Sequence, residues 1–132
     1  MGYVSEIGIA IISKQKAVFE LIKEDFMQSK FYQNNTDVAK EFLDLFQNKR
    51  KGSQHLMVVY HTYIKWYADI ERAWKVFSKI CDNFNVAWCF VRIGEDYGDI
   101  EKDDNYHKVK DCDDLMQPSG IFDICCEIRC LI

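Results

Sequence analysis

Between residues 70 and 84 the apolar side chains recur at spacings that place them on one side of a helix. Ile70 is followed by Ala73, Trp74, Phe77, Ile80, Cys81 and Phe84, which lie 3, 4, 7, 10, 11 and 14 residues further on. That is the 3.6-residue repeat of an amphipathic helix. Asp69 stands where a cap belongs and Asn83-Phe84-Asn85 closes the segment, so the spacing predicts a helix over 69–84. Such a helix must bury its apolar face against another layer. The rest of the chain has to supply that layer.

It supplies strands. VSEIGIAII (4–12) alternates Ile7, Ile9 and Ile11 with Glu6, Gly8 and Ala10, the period of a strand with one buried face. HLMVVYHTYIKWY (55–67) and VAWCFVRI (86–93) are rich in β-branched and aromatic residues. IFDICCEIRCLI (121–132) enters from a turn at Pro118-Ser119-Gly120 and alternates Phe122, Ile124, Cys126, Ile128, Cys130 and Ile132 with more polar partners. A second amphipathic helix is predicted from Ser13, read as its N-cap, to about Ser29, with Val18, Leu21, Ile22 and Phe26 inward. Asn34-Asn35 signals a turn. Val38 to Gln47 can be read as a short helix, or as a strand through Phe42, Asp44 and Phe46. A short helical turn followed by a strand is the reading adopted. The basic stretch NKRKGS (48–53) reads as a solvated hairpin loop, because a phosphate loop would need more glycines and a following helix.

The order is β-α-β-β-α-β with one more strand. It predicts a single α+β domain over residues 1–132. The fold class expected is a ferredoxin-like antiparallel sheet covered on one face by two helices, with an additional C-terminal strand.

Composition narrows the function classes. Apolar residues make up 48% of the 132, with one proline, which suits a compact domain. No apolar run approaches the ~20 residues of a membrane span. Met1 to Glu6 lacks the start of a signal peptide, so a cytoplasmic protein is expected. The six cysteines (81, 89, 112, 125, 126 and 130) are then expected to be thiols. No C-x-x-C and no His-x3-His accompanies them, so no metal and no cofactor is expected. Cys126 and Cys130 are in phase with the core side of their strand, which leaves Cys125 as the thiol expected to react, if any does.

Charge is uneven. Residues 95–114 carry nine carboxylates and three lysines, a balance of −6, so with −4 overall the remainder sums to +2. A field of that sign argues against direct nucleic-acid binding and favours a basic partner. The acidic stretch does not alternate as a calcium loop does, and nothing in it pins paired carboxylates to a cleft. It reads as a solvated loop or as a recognition surface whose anchors would be Tyr97, Tyr106 and His107.

Strand phase supplies the second surface. Leu56, Val58, Tyr60, Ile64 and Trp66 are expected inward, with Ala87, Cys89, Val91 and Ile93 under the helices. Met57, Val59, His61, Tyr63 and Lys65, with Val86, Trp88, Phe90 and Arg92, would then point away. That exposed apolar face would serve protein binding or a homodimer through the sheet, unless the 29–55 segment or a tail covers it. Partner-binding residues are expected to be Glu95, Asp96, Tyr97, Asp99, Glu101, Asp103 and Asp104 from the loop, with His61, Tyr63, Trp88, Phe90 and Arg92 from the sheet. Trp66 reads as a core plug.

YIKWY (63–67), a helix, then FVRIGEDYGDIE (90–101) resembles small phage and prophage proteins of unassigned activity. The resemblance spans about 40 residues and implies a small accessory protein that binds a host factor, with no catalytic residues. The expectation is therefore a non-enzymatic interaction module, such as a phage-encoded inhibitor with an anti-defence role or an immunity-type protein. Its partner would be a basic, nucleic-acid-handling host protein. The alternative is a small-molecule or nucleotide-binding domain, enzymatic or not, with a cleft between sheet and acidic loop.

Overall fold

The computed structural model describes residues 4–96, 98–105 and 109, without the side chains of residues 4, 51, 62 and 63. The first strand, β1 (Val4–Ser13), becomes the middle of the sheet. Its isoleucines suit that place, because β-branched side chains pack well on a pleated surface. Ile7, Ile9 and Ile11 face the helices, while Ala10 and Ile12 are buried on the opposite side.

Three helices follow: α1 (Ala17–Met27), α2 (Lys30–Asn34) and α3 (Thr36–Asp44). Ser13 does not cap α1, a correction to the sequence reading. Its Oγ accepts from the Gln15 amide at 3.0 Å and closes a turn at the strand's end instead. Phe19, Ile22 and Phe26 form the buried face of α1, and Leu21 is exposed. Ser29 is a true N-cap: its Oγ accepts from the Tyr32 amide at 3.1 Å and starts α2.

A hairpin of β2 (Gln47–Lys51) and β3 (Gln54–Lys65) comes next. Lys49 and Arg50, expected in its loop, belong to β2. The loop itself is Gly52-Ser53, with Gly52 at φ 61°, a conformation that suits glycine at the first central position of a two-residue turn. Then α4 (Ala68–Asn83) runs back over the sheet, its apolar stripe buried as its spacing predicts. It ends in a Schellman motif. The Val86 amide donates to the Cys81 carbonyl at 2.9 Å and the Asn85 amide to that of Asp82 at 3.0 Å. Asn85 supplies the left-handed φ of 57° that the motif requires.

Two strands complete the described sheet: β4 (Ala87–Gly94) and β5 (Ile100–Asp104). Every pairing is antiparallel and the order is β2-β3-β1-β4-β5. The chain is thus α+β with an open antiparallel sheet. Among the described residues there are four helices rather than two, and α1 and α3 both pack against α4. The segment 100–104, expected within a loop, is a strand. The strand expected over 121–132 lies outside the described residues. No helix among the described residues is long and apolar enough to cross a membrane.

The strand phase needs correction. Trp88 and Phe90, expected on an open face, are 6% and 5% exposed and lie in the core beneath the helices. Met57 and Val59 share that core. Leu56, Val58, Cys89 and Val91, expected under the helices, form a second buried cluster with Ala10 and Ile12. Size misled the reading. The gap between sheet and α4 is filled by large rings, not small side chains: Trp74 meets Trp88 edge-on at 5.0 Å and stacks on Phe90 at 5.7 Å.

The inward set on β3 also does not stay on one side. Ile7 pairs with His61 but Ser5 pairs with Ile64, so Thr62 and Tyr63 together face Glu6. A bulge of this kind reverses the phase beyond it. Hence Tyr60 joins the second cluster while Ile64 and Trp66 pack on the first.

Candidate functional site

Antiparallel pairing of β4 with β5 sets the local chemistry, because residues opposite each other share a face. Arg92 stands opposite Glu101, and Phe90 opposite Asp103. Trp88, Phe90, Arg92, Glu101 and Asp103 are therefore on the helix side of the sheet, next to α4.

Arg92 is not presented to solvent as expected. Its guanidinium is held by two of the acidic residues, and its side chain is 12% exposed. Nη2 donates to Asp99 Oδ1 at 2.7 Å, Nη1 to Asp99 Oδ2 at 3.2 Å, and Nε to Glu101 Oε1 at 2.7 Å. Nη1 also reaches Ser5 Oγ at 3.3 Å. The fork on Asp99 raises the Arg92 pKa above its ordinary value; partial burial works the other way and Glu101 adds to the rise. Asp99 and Glu101 thus fix the turn between β4 and β5. Arg92→Leu is expected to leave two carboxylates facing an apolar side chain. Hydrogen exchange at the amides of Asp99 and Ile100 should then rise at least tenfold, with β1–β3 amides unchanged.

A groove of about 620 Å³ runs between α4 and β5. Trp74, Trp88 and Phe90 form its floor. Glu71, Lys75, Ser78, Lys79 and Asp82 line the helix wall, and Ile100 to Asp103 line the strand wall. Both signs of charge meet there. All five residues of β5 are exposed.

One end of the groove is closed by a buried polar knot. Asn105 is 1% exposed. Its Oδ1 accepts from the Trp88 amide at 2.7 Å, and its Nδ2 donates to Asp82 Oδ1 and to the Val86 carbonyl, both at 2.8 Å. Trp88 Nε1 donates to the same Asp82 oxygen at 2.9 Å. The end of β5, the end of α4 and the start of β4 are joined in this way.

Comparison with protein-family models finds no match, and comparison with curated proteins and with solved structures finds none either.

The structure brings together Trp88, Phe90, Glu101 and Asp103 of the sequence-derived set, and spends Arg92, Asp99 and Glu101 on one another. Glu95 and Asp96 are exposed in the preceding turn, and Asp104 is exposed on the opposite side of β5. His61 is exposed, one strand removed from Arg92, since both pair with Ile7. Tyr97, Tyr106, His107, Cys112, Cys125, Cys126 and Cys130 lie outside the described residues, as does the Tyr63 side chain. Cys81 and Cys89 are buried thiols, and burial pushes the Cys81 thiol far above its ordinary pKa, with Asp82 adding to the shift. A thiol held protonated in this way is a poor nucleophile. Among the described residues no three His, Cys, Asp or Glu side chains gather to hold a metal ion.

Sequence reasoning missed the helix wall and the knot. The wall was visible as a polar stripe (Glu71, Lys75, Ser78, Lys79, Asp82) flanking the apolar one at helical spacing. Asn105 had no sequence signal, because its role depends on β5 ending beside α4.

Proposed function

We propose that this chain is a non-enzymatic protein-interaction module that takes a basic, extended segment of its partner along the α4–β5 groove. The observation that carries this reading is β5: a fully exposed, charged strand at one side of the described sheet, beside a groove with an aromatic floor. Asp103, Glu71 and Asp82 would meet the partner's cations, while apolar partner atoms reach the edges of Trp88 and Phe90. The resemblance to small phage proteins supports an inhibitor or immunity-type role, acting on a host protein in the host cytoplasm. The order β2-β3-β1-β4, with helices between β1 and β2 and between β3 and β4, supports a ferredoxin-like core that β5 extends.

The test uses twelve-residue Lys/Arg-rich peptides carrying one Trp or Leu, with neutral peptides as controls, titrated by calorimetry at two salt concentrations. The basic peptides should bind more tightly at low salt, and Glu71→Lys/Asp103→Lys should weaken them roughly tenfold, the scale of one lost charge-assisted contact. Equal affinity for neutral peptides, or no change in the double variant, would refute the reading. Asp99 and Glu101 are left intact because they hold Arg92.

The groove's volume also supports a second reading, a small-molecule or nucleotide ligand, since it falls within the range of ligand pockets. A thermal-shift screen separates the two: a nucleotide that raises Tm in the wild type but not in Lys75→Glu/Lys79→Glu would favour the ligand.

A further inference from the structure

On the helix side, at the β2 end of the described sheet, lies a smaller pocket of different chemistry. It holds about 270 Å³ and is lined by Lys16, Phe19, Asn48, Lys49, Arg50, His55 and Leu56. We propose that this pocket binds an oxyanion, specifically the phosphoryl group of a small phosphate ester.

Three separate parts of the chain build it. The β2–β3 register sets Arg50 opposite His55 and Lys49 opposite Leu56. The β1–β3 register sets Ser13 opposite His55, so the chain leaving β1 brings Lys16 to the same place. Phe19 and Leu56 are buried and give the pocket a fixed apolar base. Among the described lining residues three are lysine or arginine, one is a histidine and none is acidic, in a chain whose net charge is −4. Gathering like charges costs Coulomb energy that a bound anion would relieve.

The donor set also suits phosphate. The Arg50 Nε donates to the Gly52 carbonyl at 2.9 Å, which anchors the guanidinium. The anchored Arg50 fork, Lys16 and the Asn48 amide offer N–H groups on the helix side of β2, and a planar guanidinium matches the oxygens of a phosphoryl group in a two-point contact that a single-atom halide cannot make. The volume admits a phosphoryl group with a few carbons and is below that of most drug-sized sites. This inference does not rest on the groove beside β5, because the order of strands puts β2 and β5 at opposite sides of the described sheet.

The test is calorimetric titration of the full chain with inorganic phosphate and with glycerol 3-phosphate, at constant ionic strength set by sodium chloride. Amide NMR shifts are followed in parallel. Saturable one-to-one binding is expected, with the largest shifts at Phe19, Arg50 and His55. Arg50→Gln and Lys16→Gln should each weaken it roughly tenfold, as loss of a charge-assisted contact does. Lys40→Gln, an exposed change on α3, should leave it unchanged. Circular dichroism confirms that each variant is folded. Absence of saturation, equal weakening by Lys40→Gln, or unchanged affinity in the Arg50→Gln/Lys16→Gln double variant would overturn the proposal. So would binding of a twelve-nucleotide single strand with no binding of either small phosphate, which would mark the patch as a diffuse polyanion surface.

Discussion

Asn105→Ala is expected to cost about 3 kcal/mol of folding stability, read as a lower urea midpoint with an unchanged m-value. The side chain satisfies one buried backbone donor, one buried backbone acceptor and one carboxylate at once. A typical hydrogen bond contributes only about 1 kcal/mol net, but a buried group left without its partner costs about 1–3 kcal/mol. Alanine strands the Trp88 amide and the Val86 carbonyl together. Asp82→Asn is the informative companion. An amide oxygen can still accept from Trp88 Nε1 and from Asn105, so this change should cost only about 1 kcal/mol. If Asn105→Ala costs no more than Asp82→Asn, the knot is not what holds the end of β5.

The same variant reaches the function. Hydrogen exchange should show β5 losing protection before β1, β3 or β4 does, because the knot and the Arg92 fork tie its two ends. With β5 loosened, the strand wall of the groove goes, and basic-peptide binding should fall with it. The phosphate pocket is formed by β2, β3 and the start of α1, so its titration should be unchanged.

What the sequence made legible follows from how local each signal is. The helix at 69–84 was readable because seven apolar positions report one period and burial then follows it. The strands at 4–12, 55–67 and 86–93 were readable from β-branched content. Which way each strand faced was not readable, because both faces of β1, β3 and β4 are buried. Alternation of apolar with polar residues carries phase information only when one face meets water. Val86 to Val91 has no polar residue to break the tie, and the bulge at Thr62-Tyr63 left no mark in composition. β5 was hidden for the opposite reason. IEKDD reads as loop by propensity, and it is held as a strand by its ladder to β4, by Arg92 facing Glu101 and by Asn105 at its end. Tertiary contacts overrode local preference there. The basic pocket was legible only in part: NKRKGS showed its charge, but Lys16 and His55 come from segments the register alone brings near.

Phe77→Ala is expected to be the most damaging single change among the described residues, at about 4 kcal/mol, the scale of a buried phenylalanine truncated in a core. Phe77 is fully buried, and its ring meets Phe26 at 5.3 Å, Phe46 at 5.4 Å and Phe42 at 5.6 Å. It therefore joins α4 to α1, to α3 and to the segment entering β2. A domain of this size has about 5–15 kcal/mol in hand, so the variant should unfold roughly 10–20 °C below the wild type. Phe77→Leu keeps most of the volume and should cost only about 1.5 kcal/mol. Combining Phe77→Ala with Asn105→Ala tests whether α4 moves as one body. The ring partners of Phe77 and the hydrogen-bond partners of Asn105 are different residues, so independent losses should add to within about 0.5 kcal/mol. A double variant less damaged than that sum would mean that α4, once freed from the phenylalanine cluster, has already drawn Asp82 away from Asn105. The groove wall and the core would then be one cooperative unit, and any partner that grips the groove would stabilise the whole domain, not β5 alone.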